Sequence, residues 1–284
     1  MADKQQDRIA VVSGASTGIG LAATLGLADE GFRLIAMGRH PGRIAAAKAR
    51  LAERGARVDW IEADFASLAE TRRAAAEIAG LTDRIDLLVN NAGALLDGRY
   101  VTVDGFEKTF AVNHLAPFLL TELLTSQLAA SDRPHIITVS SIGHTYITDM
   151  VWDDLQLEKD FAAGPAYFQS KLANILFTRE LARRSSIDGL IASAVHPGLV
   201  GSNFPDSAAP DTQTYYAEAV ASGRALTNEQ GADTIIWLAK NPDAALPSGG
   251  YFHERRRIDP SPAAQSDVGA ERLWEISERL AGLE

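Results

Sequence analysis

The sequence contains no cysteine, which excludes disulfides, thiolate nucleophiles and cysteine metal sites and is compatible with a reducing compartment. The six histidines are scattered without the spacing of a zinc motif, so we predict no metal site. No apolar run reaches the length of a transmembrane helix. The polar start, Met1 to Arg8, precedes only a short apolar segment, which indicates neither a signal peptide nor a membrane anchor. We therefore expect a cytoplasmic protein without a membrane partner.

Positive charge is also in short supply, since 27 lysines and arginines stand against 37 acidic residues and give a net charge of -10. Binding to nucleic acid needs an excess of cations that neutralise phosphates, so a nucleic-acid partner is not expected. The chain has 284 residues and 46% hydrophobic content, enough to bury one large core. Repeats, low-complexity tracts and linkers are lacking, so we expect a single domain over residues 1–284.

Short apolar segments alternate with amphipathic helical segments, which predicts an α/β domain whose mostly parallel sheet is flanked by helices on both faces. We expect about seven strands, at Arg8 to Ser13, Arg33 to Met37, Val58 to Glu62, Ile85 to Val89, His135 to Val139, Ile191 to His196 and Gly249 to His253. The predicted helices are Leu21 to Glu30, Arg43 to Arg54, Ser67 to Ala79, Asp104 to Ala129 with an interruption near Pro117, Ala166 to Arg184, Asn228 to Ala239 and Asp267 to Leu280.

Two segments lie outside this pattern. Residues from Ile142 to Pro165 are predicted to be irregular, and they contain several aromatic side chains. From Asn203 to Gly223 the composition shifts to proline, serine, alanine and aspartate. Segments of this kind often cover a site, so we expect a mobile substrate lid near residues 199–226, although a plain surface loop would have the same composition.

A glycine-rich loop follows the first strand and leads directly into the first helix. Glycines let the backbone turn tightly and approach a pyrophosphate, and the free amides of a helix start attract its negative charge. A plain turn between strand and helix is the alternative, but the context favours dinucleotide binding. The loop residues expected at the cofactor are Gly14, Ser16, Thr17, Gly18, Ile19 and Gly20.

The end of the second strand lacks the acidic residue that would hold the adenosine ribose of NAD. Arg39 and Arg43 stand there instead, and guanidinium groups suit a 2'-phosphate. The sequence therefore favours NADP(H) over NAD(H), unless both arginines are ordinary surface charges. After the third strand come Asp64 and Phe65, and Asp64 could accept from an adenine amino group or cap the following helix.

Tyr167 and Lys171 stand four residues apart in a predicted helix and so share one face. A lysine cation beside the phenol would lower the pKa of Tyr167 toward neutrality and make it a usable acid or base. Taken alone, such a pair is usually a matter of chance. Asn113, within a helix where asparagine is unfavourable, and Ser141, at the carboxyl end of the fifth strand, are further candidate site residues.

These motifs, taken in order, resemble the classical short-chain dehydrogenases/reductases over essentially the whole chain. The resemblance rests on Ser13-Gly14-x3-Gly18-Ile19-Gly20, Asn90-Asn91-Ala92-Gly93, Ser141, Tyr167-x3-Lys171 and Pro197-Gly198. Three further segments, Asn113 to Phe118, Tyr167 to Asn174 and Leu273 to Ser277, are similar to the retinol dehydrogenase group, which commonly uses NADP(H). The family implies a Rossmann-type doubly wound domain.

The resemblance also implies the chemistry, a hydride transfer between nicotinamide and a carbonyl or carbinol carbon. Tyr167 would exchange the proton, Ser141 would hydrogen-bond the same oxygen, Lys171 would lower the pKa of the tyrosine and hold the nicotinamide ribose, and Asn113 would position a water. Ser140 is a weaker match than Ser141 to the family serine. Further cofactor contacts are implied for Asn91, Ala92, Gly93, Pro197, Gly198, Val200 and Ser202.

Several alternatives stay open. A small to medium apolar alcohol, ketone or aldehyde is the expected substrate, and retinol is in doubt because many animal enzymes of the group carry an amino-terminal membrane segment. A regulator that senses NADP(H) without turnover is the competing function. The glycine spacing disfavours an epimerase or dehydratase. We interpret His144 and His196 as structural, and a homodimer or homotetramer would fit family habit.

Overall fold

One sheet forms the centre of the protein, which the computed structural model describes from residue 8 to residue 283; the start, Met1 to Asp7, lies outside the described residues. Its strands are β1 (Ile9–Val12), β2 (Arg33–Gly38), β3 (Val58–Glu62), β4 (Leu87–Asn90), β5 (His135–Val139), β6 (Ile191–Val195), β7 (Gly250–His253) and β8 (Arg256–Ile258). They lie in the order β3-β2-β1-β4-β5-β6-β7-β8. All neighbours are parallel except β7 and β8, which are antiparallel.

Helices cover both faces of this sheet. They are α1 (Gly18–Asp29), α2 (Pro41–Ala52), α3 (Leu68–Leu81), α4 (Lys108–Phe110), α5 (Ala116–Leu123), α6 (Thr125–Ala129), α7 (Ala163–Arg184), α8 (Pro210–Ala221), α9 (Asn228–Lys240) and α10 (Asp267–Ala281). The predicted single α/β domain with a mostly parallel, doubly wound sheet is confirmed.

The central strands β1, β4, β5 and β6 are buried on both faces because each face packs under helices. Side chains alternate along a strand, so Val11 and Ile35 belong to one buried layer, whereas Val12 and Leu34 belong to the other. All four residues of β1 are buried. Burial on both faces therefore explains the continuous apolar runs seen in the sequence.

The chain reverses its direction of winding between β1 and β4, which are neighbours in the sheet. From β1 the sheet grows through β2 and β3 on one side and through β4, β5 and β6 on the other. Such a switch point opens a crevice at the carboxyl ends of the two central strands, where ligands bind in open α/β sheets. The glycine loop leaves β1 at this point, and Asn90 ends β4 beside it.

The long helix predicted from Asp104 to Ala129 is wrong in its start and in its break. Helix begins only at Lys108, because the Glu107 carboxylate accepts from the backbone amides of Thr109 and Phe110 and so caps it. A π-helical segment, Ala111–Leu115, follows and carries Asn113. The chain stays helical through Pro117, which lies just after the π-helical segment, and the break falls at Leu124 instead.

Other boundaries differ as well. The segment predicted as a mobile lid or surface loop contains a 3-10 turn, Phe204–Ser207, and the helix α8, whose first residue is a proline with a favourable fixed φ. Part of the predicted irregular region, Ile142–Tyr146, is also a 3-10 helix, and α7 starts before the proline at which irregular structure was expected to end. The sheet has eight strands, one more than expected.

Candidate active site

A cavity of about 360 Å³ opens at the carboxyl ends of the strands, at the switch point of the sheet. Loops after the central strands, the first turn of α1, the middle of α7 and the 203–221 segment all contribute to its wall. Asn113 is the one predicted site residue that does not line it. The others do: Gly14, Ser16, Thr17, Gly18, Ile19, Gly20, Arg39, Arg43, Asp64, Phe65, Asn91, Ala92, Gly93, Ser141, Tyr167, Lys171, Pro197, Gly198, Val200 and Ser202.

The glycine loop is shaped to receive an anion. Gly14 has a φ of 65°, and a Cβ on Gly20 would lie only 2.2 Å from the Gly14 carbonyl oxygen, so neither position accepts a side chain without distortion. Thr17, the N-cap of α1, makes no side-chain cap bond, and the first turn holds no acidic residue. The amides of the helix start are thus left for a ligand, which fits a pyrophosphate.

The loop is held by the residues that follow β4. Ser13 Oγ accepts from the backbone amides of Asn91 and Ala92, at 3.0 Å each. The Asn91 side chain donates in return to the Ser13 carbonyl at 2.9 Å and to the Gly14 carbonyl at 3.3 Å. Asn91 therefore supports the loop as well as lining the cavity. Serine in place of the family threonine at position 13 keeps the hydroxyl that this arrangement needs.

Arg39 and Arg43 stand at the end of the cavity that follows β2 and β3, and both side chains are about half exposed. Arg39 lies 3.7 Å from Asp64, and Arg43 lies 4.0 Å from Asp206. Asp64 also accepts from the backbone amide of Ala66. The N-cap of α3 is Ser67 and not Asp64. The two guanidinium groups are held near the cavity by carboxylates that a more strongly charged anion could replace.

Tyr167, Lys171 and Ser141 meet at the other end of the cavity. Nζ of Lys171 donates to the Val139 carbonyl at 3.0 Å and lies 5.6 Å from the centre of the Tyr167 ring. Burial lowers the pKa of Lys171 to about 8. Burial also raises the pKa of Tyr167, the nearby Tyr216 raises it further, and a hydrogen bond with Ser141 opposes them.

The expected fall in the pKa of Tyr167 is therefore wrong for this structure. The hydrogen bond of the Lys171 ammonium goes to a backbone carbonyl, and the loss of hydration around the phenol outweighs any nearby positive charge. Tyr167 is a protonated phenol at neutral pH. A group in this state donates a proton to an oxygen that gains negative charge.

Ser140 and Ser141 differ in what their hydroxyls contact. Ser140 is buried, and its Oγ donates to the Lys171 carbonyl at 2.7 Å, so it fastens β5 to α7. Ser141 Oγ accepts from the Gly143 amide at 3.0 Å, and the Ser141 side chain lowers the pKa of the neighbouring Tyr167. Ser141 is thus the serine whose side chain interacts with Tyr167 in the cavity.

Asn113 lies behind the cavity wall, and every polar atom of its side chain is occupied. Its Nδ2 donates to the Ala94 carbonyl and to Ser170 Oγ, each at 2.9 Å, and its Oδ1 accepts from the Ala94 amide at 2.7 Å. A Cβ on Gly93 would lie 3.4 Å from Asn113 Oδ1 and 3.5 Å from Lys171 Nζ. Asn113 thus fixes the chain after β4, next to the lysine.

The sequence did not indicate several residues of the cavity wall. Phe204 and Tyr216 come from the 203–221 segment, and the Phe204 ring centre lies 5.6 Å from that of Tyr167. The available signal was the three aromatic residues Phe204, Tyr215 and Tyr216 in a segment otherwise rich in small and polar residues. Further lining residues are Gly38, His40, Ala63, Ala94, Leu95, Leu96, Lys108, Val112, Val139, Ser140, Asn203 and Ser207.

His144 and His196 serve the backbone around the site. Nε2 of His144 accepts from the Ser261 amide at 3.1 Å, so its Nδ1 carries the proton and donates to the Ser141 carbonyl. Nδ1 of His196 accepts from the Gly198 amide at 3.1 Å. Across residues 8–283, no three histidine, aspartate or glutamate residues are grouped to hold a metal ion. Over the same range, no helix combines the length and apolarity that crossing a bilayer requires.

The sheet is doubly wound, and its switch point carries a glycine loop suited to an anion. A tyrosine, a lysine and a serine lie beyond that loop. These features are typical of a nucleotide-binding oxidoreductase. The family model described as short chain dehydrogenase matches residues 8–213. The chain belongs to the short-chain dehydrogenase family and is similar to the retinol dehydrogenases. It is an oxidoreductase that acts on CH-OH or C=O groups of small molecules and takes a nicotinamide cofactor.

Individual proteins show the same relationship. Retinol dehydrogenase 12 of Homo sapiens is 35% identical over 97% of this chain and 87% of its own length. A protein of Streptomyces sp. (strain C5), provisionally named daunorubicin C-13 ketoreductase DnrU, is 36% identical over 97% of this chain and 93% of its own. The solved structure of the Pseudomonas aeruginosa RhlG/NADP active-site complex is 28% identical, with a TM-score of 0.69, and covers 86% of this chain and 93% of that chain.

Proposed function

We propose that the protein is an NADP(H)-dependent dehydrogenase or reductase that transfers a hydride between nicotinamide and the carbonyl or hydroxyl carbon of an apolar alcohol, ketone or aldehyde. The observation that carries the choice of NADP(H) is the pair Arg39 and Arg43 at the adenosine end of the cavity, where β2 ends without an acidic residue. The related RhlG, named as an NADP complex, supports the same choice.

The residues present fit such a cofactor along the whole cavity. The uncapped start of α1 would hold the pyrophosphate, and Arg39 and Arg43 would hold the 2'-phosphate. Asp64 and Phe65 would stand beside the adenine, while Tyr167 and Lys171 would bind the nicotinamide ribose. The remaining lining positions Asn91, Ala92, Gly93, Pro197, Gly198, Val200 and Ser202 would pack along it. The bound nicotinamide supplies or accepts the hydride.

In this proposal Tyr167 transfers the proton to or from the substrate oxygen. Because burial raises its pKa, the phenol is protonated at neutral pH and donates to the substrate oxygen during reduction. Ser141 hydrogen-bonds the same oxygen. Lys171, whose pKa is about 8, is mostly a cation at neutral pH and stabilises the phenolate that forms. With its side chain fully bonded, Asn113 would hold the proposed water through its backbone carbonyl.

The substrate side of the cavity is mainly apolar. Leu95 and Leu96, after the Asn90–Gly93 motif, line the cavity, as do Phe204 and Tyr216 from the segment we propose as a lid near residues 199–226. Burial of such surface favours apolar substrates. The names retinol dehydrogenase and ketoreductase, given to two relatives, agree with an apolar alcohol or ketone. A cytoplasmic location and a homodimer or homotetramer remain predictions from the sequence.

Equilibrium binding of NADPH and NADH tests the proposal. We expect the protein to bind NADPH about 10- to 100-fold more tightly, which corresponds to one or two charged hydrogen bonds to the 2'-phosphate. Arg39→Ala and Arg43→Ala should each reduce this preference. Arg50→Ala, an exposed arginine at the far end of α2, is the matched control and should keep it. Equal binding of both cofactors by the unaltered protein would contradict the proposal.

A further inference from the structure

The 3-10 turn Phe204–Ser207 touches both ends of the cavity. At one end, Asp206 Oδ2 lies 4.0 Å from Nη2 of Arg43, one of the two arginines assigned to the 2'-phosphate. At the other end, the ring of Phe204 packs against the ring of Tyr167, with 5.6 Å between their centres. Two residues separated by a single proline thus connect the cofactor end of the cavity with the group that moves the proton.

The Asp206–Arg43 contact is also the polar attachment of this segment to the body of the protein. Among the described residues, the other hydrogen bonds of the 203–221 segment have partners between residues 202 and 225. Asn203 and Gln213, for example, both donate to oxygens of Asp206 itself. The turn therefore contacts the cofactor site through one exposed ion pair and Tyr167 through one aromatic contact, while Pro205 and the adjoining Ala208 are buried.

We propose that Asp206 is a positioning residue that couples the 2'-phosphate site to the lid. A phosphate monoester at Arg43 displaces the Asp206 carboxylate, loosens the turn and withdraws Phe204 from Tyr167, so that the substrate side of the cavity opens. The proposal rests on the assignment of Arg43 to the 2'-phosphate of NADP(H).

Charge and exposure favour this exchange. A phosphate monoester carries close to two negative charges near neutral pH and offers three acceptor oxygens, whereas the carboxylate of Asp206 carries one charge. The Arg43 and Asp206 side chains are 47% and 54% exposed, and exposed ion pairs are weak. The phosphate therefore replaces the carboxylate at little cost. The same weakness limits the coupling to a change of roughly two- to fivefold.

The coupling has a consequence for cofactor choice, because binding energy is reciprocal between linked sites. A ligand with a 2'-phosphate opens the lid, and a ligand without it leaves the Asp206–Arg43 contact in place. Removing the charge of Asp206 should therefore strengthen binding of a 2'-phosphate about two- to fivefold and leave binding of a 5'-phosphate unchanged. The opened lid would admit the substrate only after the correct cofactor is bound.

Hydrogen exchange of the full chain with adenosine 2'-monophosphate tests the coupling, and adenosine 5'-monophosphate serves as the probe of equal charge. We expect the 2'-monophosphate to speed amide exchange two- to fivefold in peptides from residues 203–221, and the 5'-monophosphate to leave it unchanged. Asp206→Asn should exchange fast without a ligand and respond to neither probe. Asp206→Glu, which keeps the charge, should respond like the unaltered protein.

The matched control is Asp211→Asn, an exposed aspartate of the same segment whose carboxylate accepts from the neighbouring Thr212 amide and has no ion pair among residues 8–283. It should behave like the unaltered protein, which separates the loss of the Arg43 contact from a general loosening. Calorimetric binding of the 2'-monophosphate on the same samples separates failure of the proposed NADP(H) preference from failure of the coupling to the lid. No binding would contradict the proposed NADP(H) preference, whereas binding with unchanged or slowed exchange in the lid would overturn the coupling.

Discussion

Nε2 of His114 and Oγ of Ser277 lie 2.8 Å apart in the interior, although 163 residues separate them in the chain. Because the Ser277 hydroxyl donates to the Leu273 carbonyl at 2.7 Å, it accepts from the protonated Nε2 of His114. Burial lowers the pKa of His114 to about 3, so the ring is neutral. The bond fastens α10 to the π-helical segment, directly beside Asn113.

Ser277→Ala removes the acceptor and leaves the Nε2 proton of His114 buried without a partner. We expect the free energy of unfolding to fall by about 1–3 kcal/mol, the usual cost of an unsatisfied buried donor. Urea unfolding followed by circular dichroism measures the change. Ser126→Ala, at an exposed position of α6, should change stability by less than about 0.5 kcal/mol. Equal stability of the two variants would show that the His114–Ser277 bond contributes nothing.

Gly20→Ala should abolish cofactor binding while the protein still folds. The added Cβ would stand 2.2 Å from the Gly14 carbonyl oxygen and 2.3 Å from Nδ2 of Asn91, so the loop must move away from the shape that receives a pyrophosphate. We expect a loss of NADPH affinity of about 100-fold or more, by analogy with the removal of two charged hydrogen bonds. Fluorescence titration with NADPH gives the dissociation constant.

Gly80→Ala is the control for this change, since a Cβ there meets nothing within 4 Å and the residue lies in helix α3. Its NADPH affinity should be unaltered, and its stability should rise by roughly 0.5–1 kcal/mol because alanine is the better helix former. Normal NADPH binding by Gly20→Ala would refute the role given to the glycine loop.

Glu122→Gln should stabilise the protein at alkaline pH and not at acidic pH. Burial, with a smaller contribution from Glu278, raises the pKa of Glu122 to about 7. The folded form thus binds a proton that the unfolded form loses near pH 4.5, so stability falls as the pH rises from about 4.5 to 7. We expect the variant to gain roughly 1–2 kcal/mol at pH 8, a value reduced for partial exposure, and nothing at pH 4.5.

Chemical denaturation at a series of pH values checks this dependence. Glu275→Gln, an exposed glutamate of α10, should show no such pH-dependent gain and serves as the control. A gain for Glu122→Gln that is equal at pH 4.5 and pH 8 would mean that the charge of the carboxylate is not its cause.

Tyr167→Phe separates an enzyme from a regulator that only senses the cofactor. If Tyr167 donates the proton, the variant should lose at least about 100-fold in NADPH-dependent carbonyl reduction, the usual contribution of general acid catalysis, and should keep its NADPH affinity within a few-fold. The measurement is NADPH oxidation with the best carbonyl compound from a screen. Tyr146→Phe, with 67% exposure, should retain activity. Undiminished turnover by Tyr167→Phe would remove the tyrosine from the mechanism.

The sheet could be predicted from the sequence because its signal is local. His135–Val139 is a short buried run, Val58–Glu62 mixes apolar residues with Asp59 and Glu62, and the structure has both strands at the predicted bounds. The eighth strand was missed because its hairpin turn consists of Glu254 and Arg255, which have φ values of 47° and 58°. Glycine or asparagine would have signalled such a turn. Here the surrounding chain imposes it on residues that seldom adopt it.

The site was predictable in its residue set and less so in its electrostatics. Sequence motifs indicate which residues meet, since the order of strands brings their carboxyl ends together. They do not indicate where the Lys171 ammonium finds its hydrogen bond, and that choice decides its effect on the pKa of Tyr167. The π-helical turn around Asn113 was also invisible, because nothing in the residue pattern distinguishes it from an α-helix.

The His114–Ser277 bond can form only late in synthesis, because its two partners are far apart in the chain. Ser277 leaves the ribosome 163 residues after His114, which at about 5–20 residues per second is a delay of roughly 8–30 seconds. Tyr167 and Lys171 emerge within this interval and before Ser277, while the segment that holds Asn113 still lacks its contact with α10. A nascent chain therefore carries its reactive side chains before it has a finished catalytic centre.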